Sequence, residues 1–311
     1  MEGQSVLVTG GAGFIGSNLA NELSAVNDVI VVDDCSLGTP SNLHESVDFR
    51  KRCVLENNLP TEVDIVFHLA ALSSYGMHES DPRRGTRVNV EGFVNVVEQA
   101  HQAGCDTIVY ASTSSIYGSQ KEPVAETYPV TASTGYEASK LARERYAEYF
   151  STHYGLSMAG LRFFSVYQGY GANEQHKGEY ANVLAQFADD LASGRSPELF
   201  GDGTQTRDFT HVDDIVRGLV LAGEHQLDGV YNLGTGTNYS FNTVVDALNR
   251  ELGTDVEPTY VENPLPEDVY VHDTCADSTR MRDETGWSPE IDFEAGIRRL
   301  CAQYKTAPQQ D

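Results

Sequence analysis

Thr9-Gly10-Gly11-Ala12-Gly13-Phe14-Ile15-Gly16-Ser17 is the stretch that decides the fold. Ser5-Val6-Leu7-Val8 leads into it as a short apolar run, and a helical pattern follows it. Glycines at 10, 13 and 16 give GxxGxxG. Glycine permits the tight turn and lets the backbone approach a pyrophosphate. The amides and dipole at the start of the following helix then hold the negative charge. The next apolar run ends in Val31-Val32-Asp33-Asp34. Asp33 stands near the position where a carboxylate accepts hydrogen bonds from adenosine ribose hydroxyls. A carboxylate there repels a 2′-phosphate, so NAD is the expected cofactor rather than NADP.

Outward from this unit, short apolar runs alternate with helix-length segments. Val6–Thr9, Val29–Val32, Ile65–Leu69, Thr107–Ala111 and Met158–Phe163 read as buried parallel strands. Glu91–Gln102 and Ala138–His153 read as helices, with Gly104 and Gly155 where a C-terminal stop would fall. The rhythm predicts an α/β fold, a Rossmann-type doubly wound parallel sheet with a smaller C-terminal α/β substrate domain. The expected division is a cofactor domain over 1–165, with 212–235 returning to it, and a substrate domain over 166–211 and 236–311. In the second half, Gly169–Gly178 reads as a polar loop, Asn182–Ser193 and Val212–Leu221 as helices, and Val230–Leu233 as a strand. Phe241–Leu252 and Phe293–Tyr304 read as further helices.

Composition narrows the function classes. The 311 residues include 46 Asp+Glu against 21 Lys+Arg, a formal charge of −25. Nucleic acid is disfavoured as a partner, because its phosphate backbone would be repelled. Only five of the basic residues are lysine. This Lys-poor, acid-rich balance resembles that of salt-accumulating halophiles. No apolar run approaches membrane-spanning length, and no basic region precedes the first strand, so a cytoplasmic protein without membrane partners is expected. Cys35, Cys53, Cys105, Cys275 and Cys301 form no CxxC pair, which argues against a disulfide framework or a metal site.

Tyr136-Glu137-Ala138-Ser139-Lys140 supplies YxxxK. On a helix, positions four apart share a face, so Lys140 can lie beside the Tyr136 hydroxyl and the nicotinamide ribose. A neighbouring ammonium favours phenolate, so the phenol pKa is expected to fall towards the working range. The preceding strand ends in Ser112-Thr113-Ser114-Ser115, and hydroxyls at that edge face the ligand crevice. Thr113, Tyr136 and Lys140 are therefore the candidate catalytic residues, with Thr113 bonding the reacting oxygen.

These motifs, taken in order, resemble the extended short-chain dehydrogenase/reductase family, particularly its nucleotide-sugar epimerases and dehydratases. The likeness runs from TGGAGFIG at 9–16 through VVDD at 31–34, FHLAA at 67–71 and NVEG at 89–92. It continues through STSSIYG at 112–118, YEASK at 136–140, LRFFSVY at 161–167, GDGTQTRDFTHVDD at 201–214, YNLGTG at 231–236 and GWSP at 286–289. The resemblance implies a cofactor site of Gly10, Gly13, Phe14, Ile15, Gly16, Asp33, Asp34, Leu69, Ala70, Ala71, Asn89, Ser112, Tyr136, Lys140 and Phe163. It implies a nucleotide-sugar site drawn from Thr113, Ser165, Asn182, Val183, Phe200, Arg207 and Asp268, with Arg207 pairing a substrate phosphate. It also implies a homodimer packed through helices near 90–103 and 138–153.

The chain departs from the family pattern at four places. Gly135 precedes the candidate tyrosine where Pro is frequent, and Ser165 replaces a usual Asn. Leu265-Pro266-Glu267-Asp268 replaces a segment that often carries a second phosphate-binding Arg. Cys53 stands where an adenine-contacting Asp is common. Related dehydratases follow the catalytic Thr with Asp-Glu, whereas this chain has Ser114 and Ser115. The resemblance therefore implies 4-epimerisation of the UDP-glucose/UDP-galactose type, by transient hydride transfer through a 4-keto sugar. Two alternatives stay open: a net dehydrogenase or reductase of a nucleotide sugar or other small alcohol, and a non-catalytic dinucleotide sensor.

Overall fold

The structure, a computed structural model, describes residues 1–170, 173–267 and 269–305. In β1 (Ser5–Thr9) the successive residues Val6, Leu7 and Val8 are all buried. Neighbouring side chains on a strand point to opposite faces, so such a strand needs cover on both. It lies inside a parallel sheet with β2 (Asp28–Asp33), β3 (Asp48–Lys51), β4 (Ile65–His68), β5 (Thr107–Thr113), β6 (Ser157–Phe163) and the strand Gly229–Leu233. The order across the sheet is Gly229–Leu233, β6, β5, β4, β1, β2, β3. This is the α/β, Rossmann-type sheet anticipated from the sequence.

The alternation sorts the core into two layers. Val6, Val8, Val31, Phe67 and Val109 pack against helix α1 (Phe14–Leu23) and the helix Val212–Glu224. Leu7, Val32, Val66, Ile108 and Met158 pack on the other face, against Phe93, Val96 and Val97 of the helix Gly92–Gln102 and Phe150 of the helix Gly135–Tyr154. A third cluster, including Leu184, Phe187, Phe241, Val244, Ile297 and Leu300, joins the helices Val183–Ala192, Phe241–Leu252 and Phe293–Lys305.

Differences from the sequence reading include an edge strand and the start of the YxxxK helix. β3 is Asp48-Phe49-Arg50-Lys51, largely exposed, and has no apolar alternation to betray it. It closes one edge of the sheet, where charged side chains are tolerated and discourage further pairing. The helix carrying YxxxK begins at Gly135, three residues earlier than expected. Thr134 caps it by accepting from the Glu137 amide, while Glu137 reaches back to the Thr134 amide.

All five cysteines are free thiols. Among the described residues, no helix is long and apolar enough to cross a membrane.

Candidate active site

The sheet order reverses between β1 and β4, so the loops after these strands diverge and leave a crevice at their carboxyl ends. A cleft of about 540 Å³ opens there. Its floor is the glycine loop. Gly10 has φ +70°, and a Cβ on it would lie 2.6 Å from the Ala70 amide nitrogen. A Cβ on Gly16 would lie 2.2 Å from the Gly10 carbonyl oxygen. A side chain at Gly10 would push the loop off the backbone that follows β4, and one at Gly16 would push α1 off the loop itself. Gly13 precedes α1 without a side-chain cap, so the first-turn amides remain for an anionic ligand.

Asp33 ends β2 at the rim of the cleft. It accepts from the Ala12 amide at 3.1 Å and the Cys35 amide at 2.8 Å. Burial raises its pKa and these two amides pull it back. Each carboxylate oxygen retains a lone pair for a ribose hydroxyl. Asp34, Leu69, Ala70, Ala71, Ser112 and Phe163 also line the cleft. The glycine cradle, the uncapped helix start and the strand-end carboxylate fit a dinucleotide.

Across the cleft, the helix Gly135–Tyr154 brings Tyr136 and Lys140 to the end of β5. Lys140 is buried, and its Nζ donates to the Ala111 carbonyl at 3.0 Å, 5.8 Å from the centre of the Tyr136 ring. Thr113 stands beside Tyr136, where it favours the phenolate, and its hydroxyl lies 3.0 Å from that of Ser115. The three candidate catalytic residues thus converge on one wall.

Their electrostatics correct one expectation. The Tyr136 pKa lies above its ordinary value, because burial of the phenolate outweighs the help it receives from Thr113 and the Arg143 guanidinium. Burial likewise pulls the Lys140 ammonium well below its usual range. The cation acting on the phenol is Arg143, one turn beyond Lys140. Its guanidinium donates to the carbonyls of Asn89 at 2.6 Å and Ala70 at 2.8 Å, and burial pulls its pKa down to about 10. His78 stands edge-on to Tyr136, ring centres 5.8 Å apart. Sequence reading missed both residues. The Arg143 spacing was visible on the helix, but the carbonyls that fix it come from other segments.

Several sequence-named residues lie elsewhere. Asn89 is fully buried and does not line the cleft. Its side chain bonds Leu72, His78 and Ser139, tying the loop after β4 to the helix of Tyr136. Ser165 and Asn182 line the cleft, whereas Val183 and Phe200 do not. Asn182 accepts from the Leu184 amide at 3.0 Å and so caps its helix. Ser165 holds φ +25°, a backbone region that suits Asn better than Ser. Arg207 is also off the cleft wall. It lies 5.5 Å from the Phe241 ring centre and 5.6 Å from that of Tyr270, and donates to the carbonyls of Thr206, Val271 and His272. Through Val271 it touches the wall without forming it. Asp268 lies outside the described residues. Glu137, next to Tyr136 on the helix, also lines the cleft. Its carboxylate accepts from the amides of Ser133 at 2.7 Å and Thr134 at 3.2 Å.

Comparison with known proteins agrees with this geometry. Residues 6–234 match the model of the NAD-dependent epimerase/dehydratase family. The chain is 33% identical over 317 residues to a UDP-glucose 4-epimerase of Mycolicibacterium smegmatis, covering 97% of this chain and 99% of that one. Among solved structures it is similar to a UDP-N-acetylglucosamine 4-epimerase of Methanobrevibacter ruminantium in complex with UDP-N-acetylmuramic acid. That match has TM-score 0.90 and 28% identity, covering 98% of this chain and 99% of that one. It is also similar to a UDP-glucose 4-epimerase of Thermotoga maritima with UDP-glucose, at TM-score 0.89 and 31% identity, covering 97% and 98%.

Proposed function

The chain belongs to the NAD-dependent epimerase/dehydratase family, and from that premise we propose that it is a 4-epimerase interconverting UDP-glucose and UDP-galactose. The observation that carries the choice of reaction is the state of the carboxylates. Of the described carboxylates lining the cleft, Asp33 and Asp34 stand at the β2 end, and Glu137 is bound by two amides of its own helix cap. Thr113 is followed by two serines, not by acids. Eliminating water from a sugar needs a free acid–base pair beside the tyrosine, and none is offered there. Epimerisation needs only one group that takes and returns a proton.

In this reading Gly10, Gly13, Gly16 and the first turn of α1 hold the dinucleotide diphosphate, and Asp33 holds the adenosine ribose. NAD, when bound, supplies a reversible hydride acceptor for a secondary alcohol. Tyr136 removes the proton from the sugar O4. Thr113 orients the phenol and the reacting oxygen, and Lys140 and Arg143 offset the charge that develops there. The 4-keto sugar turns over in the cleft, and Tyr136 returns the proton as the carbinol re-forms with the opposite configuration. Residues 1–165 and 212–235 form the cofactor domain, and 166–211 and 236–311 form the domain that takes up the nucleotide sugar. The enzyme works in the cytoplasm as a homodimer packed through the helices Gly92–Gln102 and Gly135–Tyr154. Tyr146, Tyr149 and Tyr154 stand exposed on the second of these.

Incubation with UDP-galactose, followed by NMR, tests the reaction. UDP-glucose should form without added NAD and without net reduced dinucleotide. Stoichiometric reduced dinucleotide would instead mark a net dehydrogenase, and a 4-keto-6-deoxy sugar would mark a dehydratase.

A second expected result concerns pH. The Arg143 cation lowers the Tyr136 pKa, and the working form of a base is the deprotonated one. Arg143→Met therefore lets the phenol pKa rise further. The ascending limb of kcat/KM should move to higher pH, with a smaller displacement for Arg143→Lys. An unmoved limb would show that this cation does not act on the phenol.

A further inference from the structure

A chain that has almost dispensed with lysine keeps two of its five in one cleft. Lys51, Lys121 and Lys305 are exposed. Lys140 belongs to the redox wall, and Lys177 lines the same cleft from the opposite half of the sequence. It sits in the short helical segment Gln175–Tyr180, inside the stretch read from sequence as a polar loop.

That segment is fastened at both ends. Glu174 is fully buried at its base. One carboxylate oxygen accepts from the amides of Gln168 at 3.0 Å and Gly169 at 2.9 Å, and the other accepts from the Asn182 amide at 2.6 Å. From there the chain crosses to the glycine loop and α1. Asn173 donates to the Ser17 hydroxyl at 2.9 Å, and Gln168 pairs with Asn18 at 3.1 Å. His176 lies 3.1 Å from Asn42, which itself donates to the Ala12 carbonyl.

The Lys177 ammonium is thereby held 5.3 Å from the centre of the Phe14 ring, at the first residue of α1. No ion pair involves it among the described residues. The neighbouring carboxylate, Glu174, is already saturated by three amides. Burial pulls the Lys177 ammonium below its ordinary range, and Glu174 offsets this only in part. An anion bound beside it would relieve that cost.

We propose that Lys177 is a ligand of the dinucleotide diphosphate, acting together with the amides at the start of α1. The cofactor is then gripped by the glycine loop and by a segment more than 150 residues further along the chain. Such a two-sided grip keeps the dinucleotide in place until hydride is returned, which a reaction without net redox change requires. The inference concerns the cofactor alone and does not depend on which sugar is turned over.

A UDP-sugar also carries a diphosphate, so the test must separate the two ligands. Calorimetry on cofactor-stripped protein would compare NAD and UDP binding in the wild type, Lys177→Met and Lys177→Arg. Loss of one charge-assisted contact to a phosphate should weaken NAD by about 10- to 100-fold in Lys177→Met. Lys177→Arg should stay within about threefold of the wild type, and UDP should change by less than about threefold in either variant. Lys177→Gln keeps a polar stem without the charge and carries the test if Lys177→Met fails to fold. An NAD affinity unchanged within about threefold in the uncharged variant would overturn the proposal. So would a UDP affinity that falls more than that of NAD.

Discussion

Tyr136→Phe should leave a folded, NAD-binding protein whose turnover of a confirmed nucleotide-sugar substrate falls by roughly 10²- to 10⁴-fold. The substitution removes one oxygen and little else. The ring keeps its edge contact with His78, and the helix keeps its cap at Thr134. Thr113 keeps its contact with the Ser115 hydroxyl at 3.0 Å. A single lost hydrogen bond costs about 1 kcal/mol of stability. The rate loss corresponds to roughly 3–5 kcal/mol of transition-state stabilisation. Comparing the thermal midpoint with kcat in the same preparation therefore separates chemistry from folding. Turnover within tenfold of the wild type would remove Tyr136 from the proton-transfer step, and with it the proposed mechanism.

The parts of this site that could be read in the sequence are those whose chemistry is local. Gly10 and Gly16 announce themselves because the loop packs so closely on the backbone after β4 and on the start of α1 that no Cβ fits. Tyr136 and Lys140 announce themselves because helical spacing alone sets them side by side. Strands with apolar residues on both faces were legible for the same reason. β3 was not, since an exposed edge strand needs no apolar pattern. What stayed hidden depends on segments distant in sequence. Arg143 is fixed by two carbonyls, one from the loop after β4 and one from the helical turn Arg87–Glu91. Lys177 matters only because Asn173 and His176 attach its segment to the glycine loop. The fall expected for the Tyr136 pKa failed on something that spacing cannot express: burial acts on the phenolate more strongly than Thr113 and the Arg143 cation beside it.

The largest expected effect on stability lies one layer behind the redox wall. Glu144, on the helix of Tyr136 and Lys140, forms a two-pronged pair with Arg162 of β6, at 2.7 and 2.9 Å, and both side chains are about 95% buried. Glu144 also accepts from the Ser112 hydroxyl at 2.6 Å, one residue before Thr113. Arg162 donates onward to the Tyr117 hydroxyl at 2.6 Å, which donates to Asn232 at 2.8 Å. The network thus fastens the catalytic helix to the ends of β5, β6 and the last strand of the sheet. Glu144→Ala leaves a guanidinium buried without its counter-charge, a defect that costs about 3–5 kcal/mol. For a chain of this size that is a fall in Tm on the order of 10 °C. Removing both charges in Glu144→Leu/Arg162→Met should restore most of the loss, because a buried pair pays heavily for desolvation and contributes little net stability. If the double variant is instead as unstable as the sum of the single ones, the ion pair itself stabilises the fold. The activity of the double variant then reports on geometry alone. With the charges gone and Ser112 released from Glu144, any deficit in kcat measures how far the network, rather than the packing of the helix on β5, sets the distance between Thr113 and Tyr136.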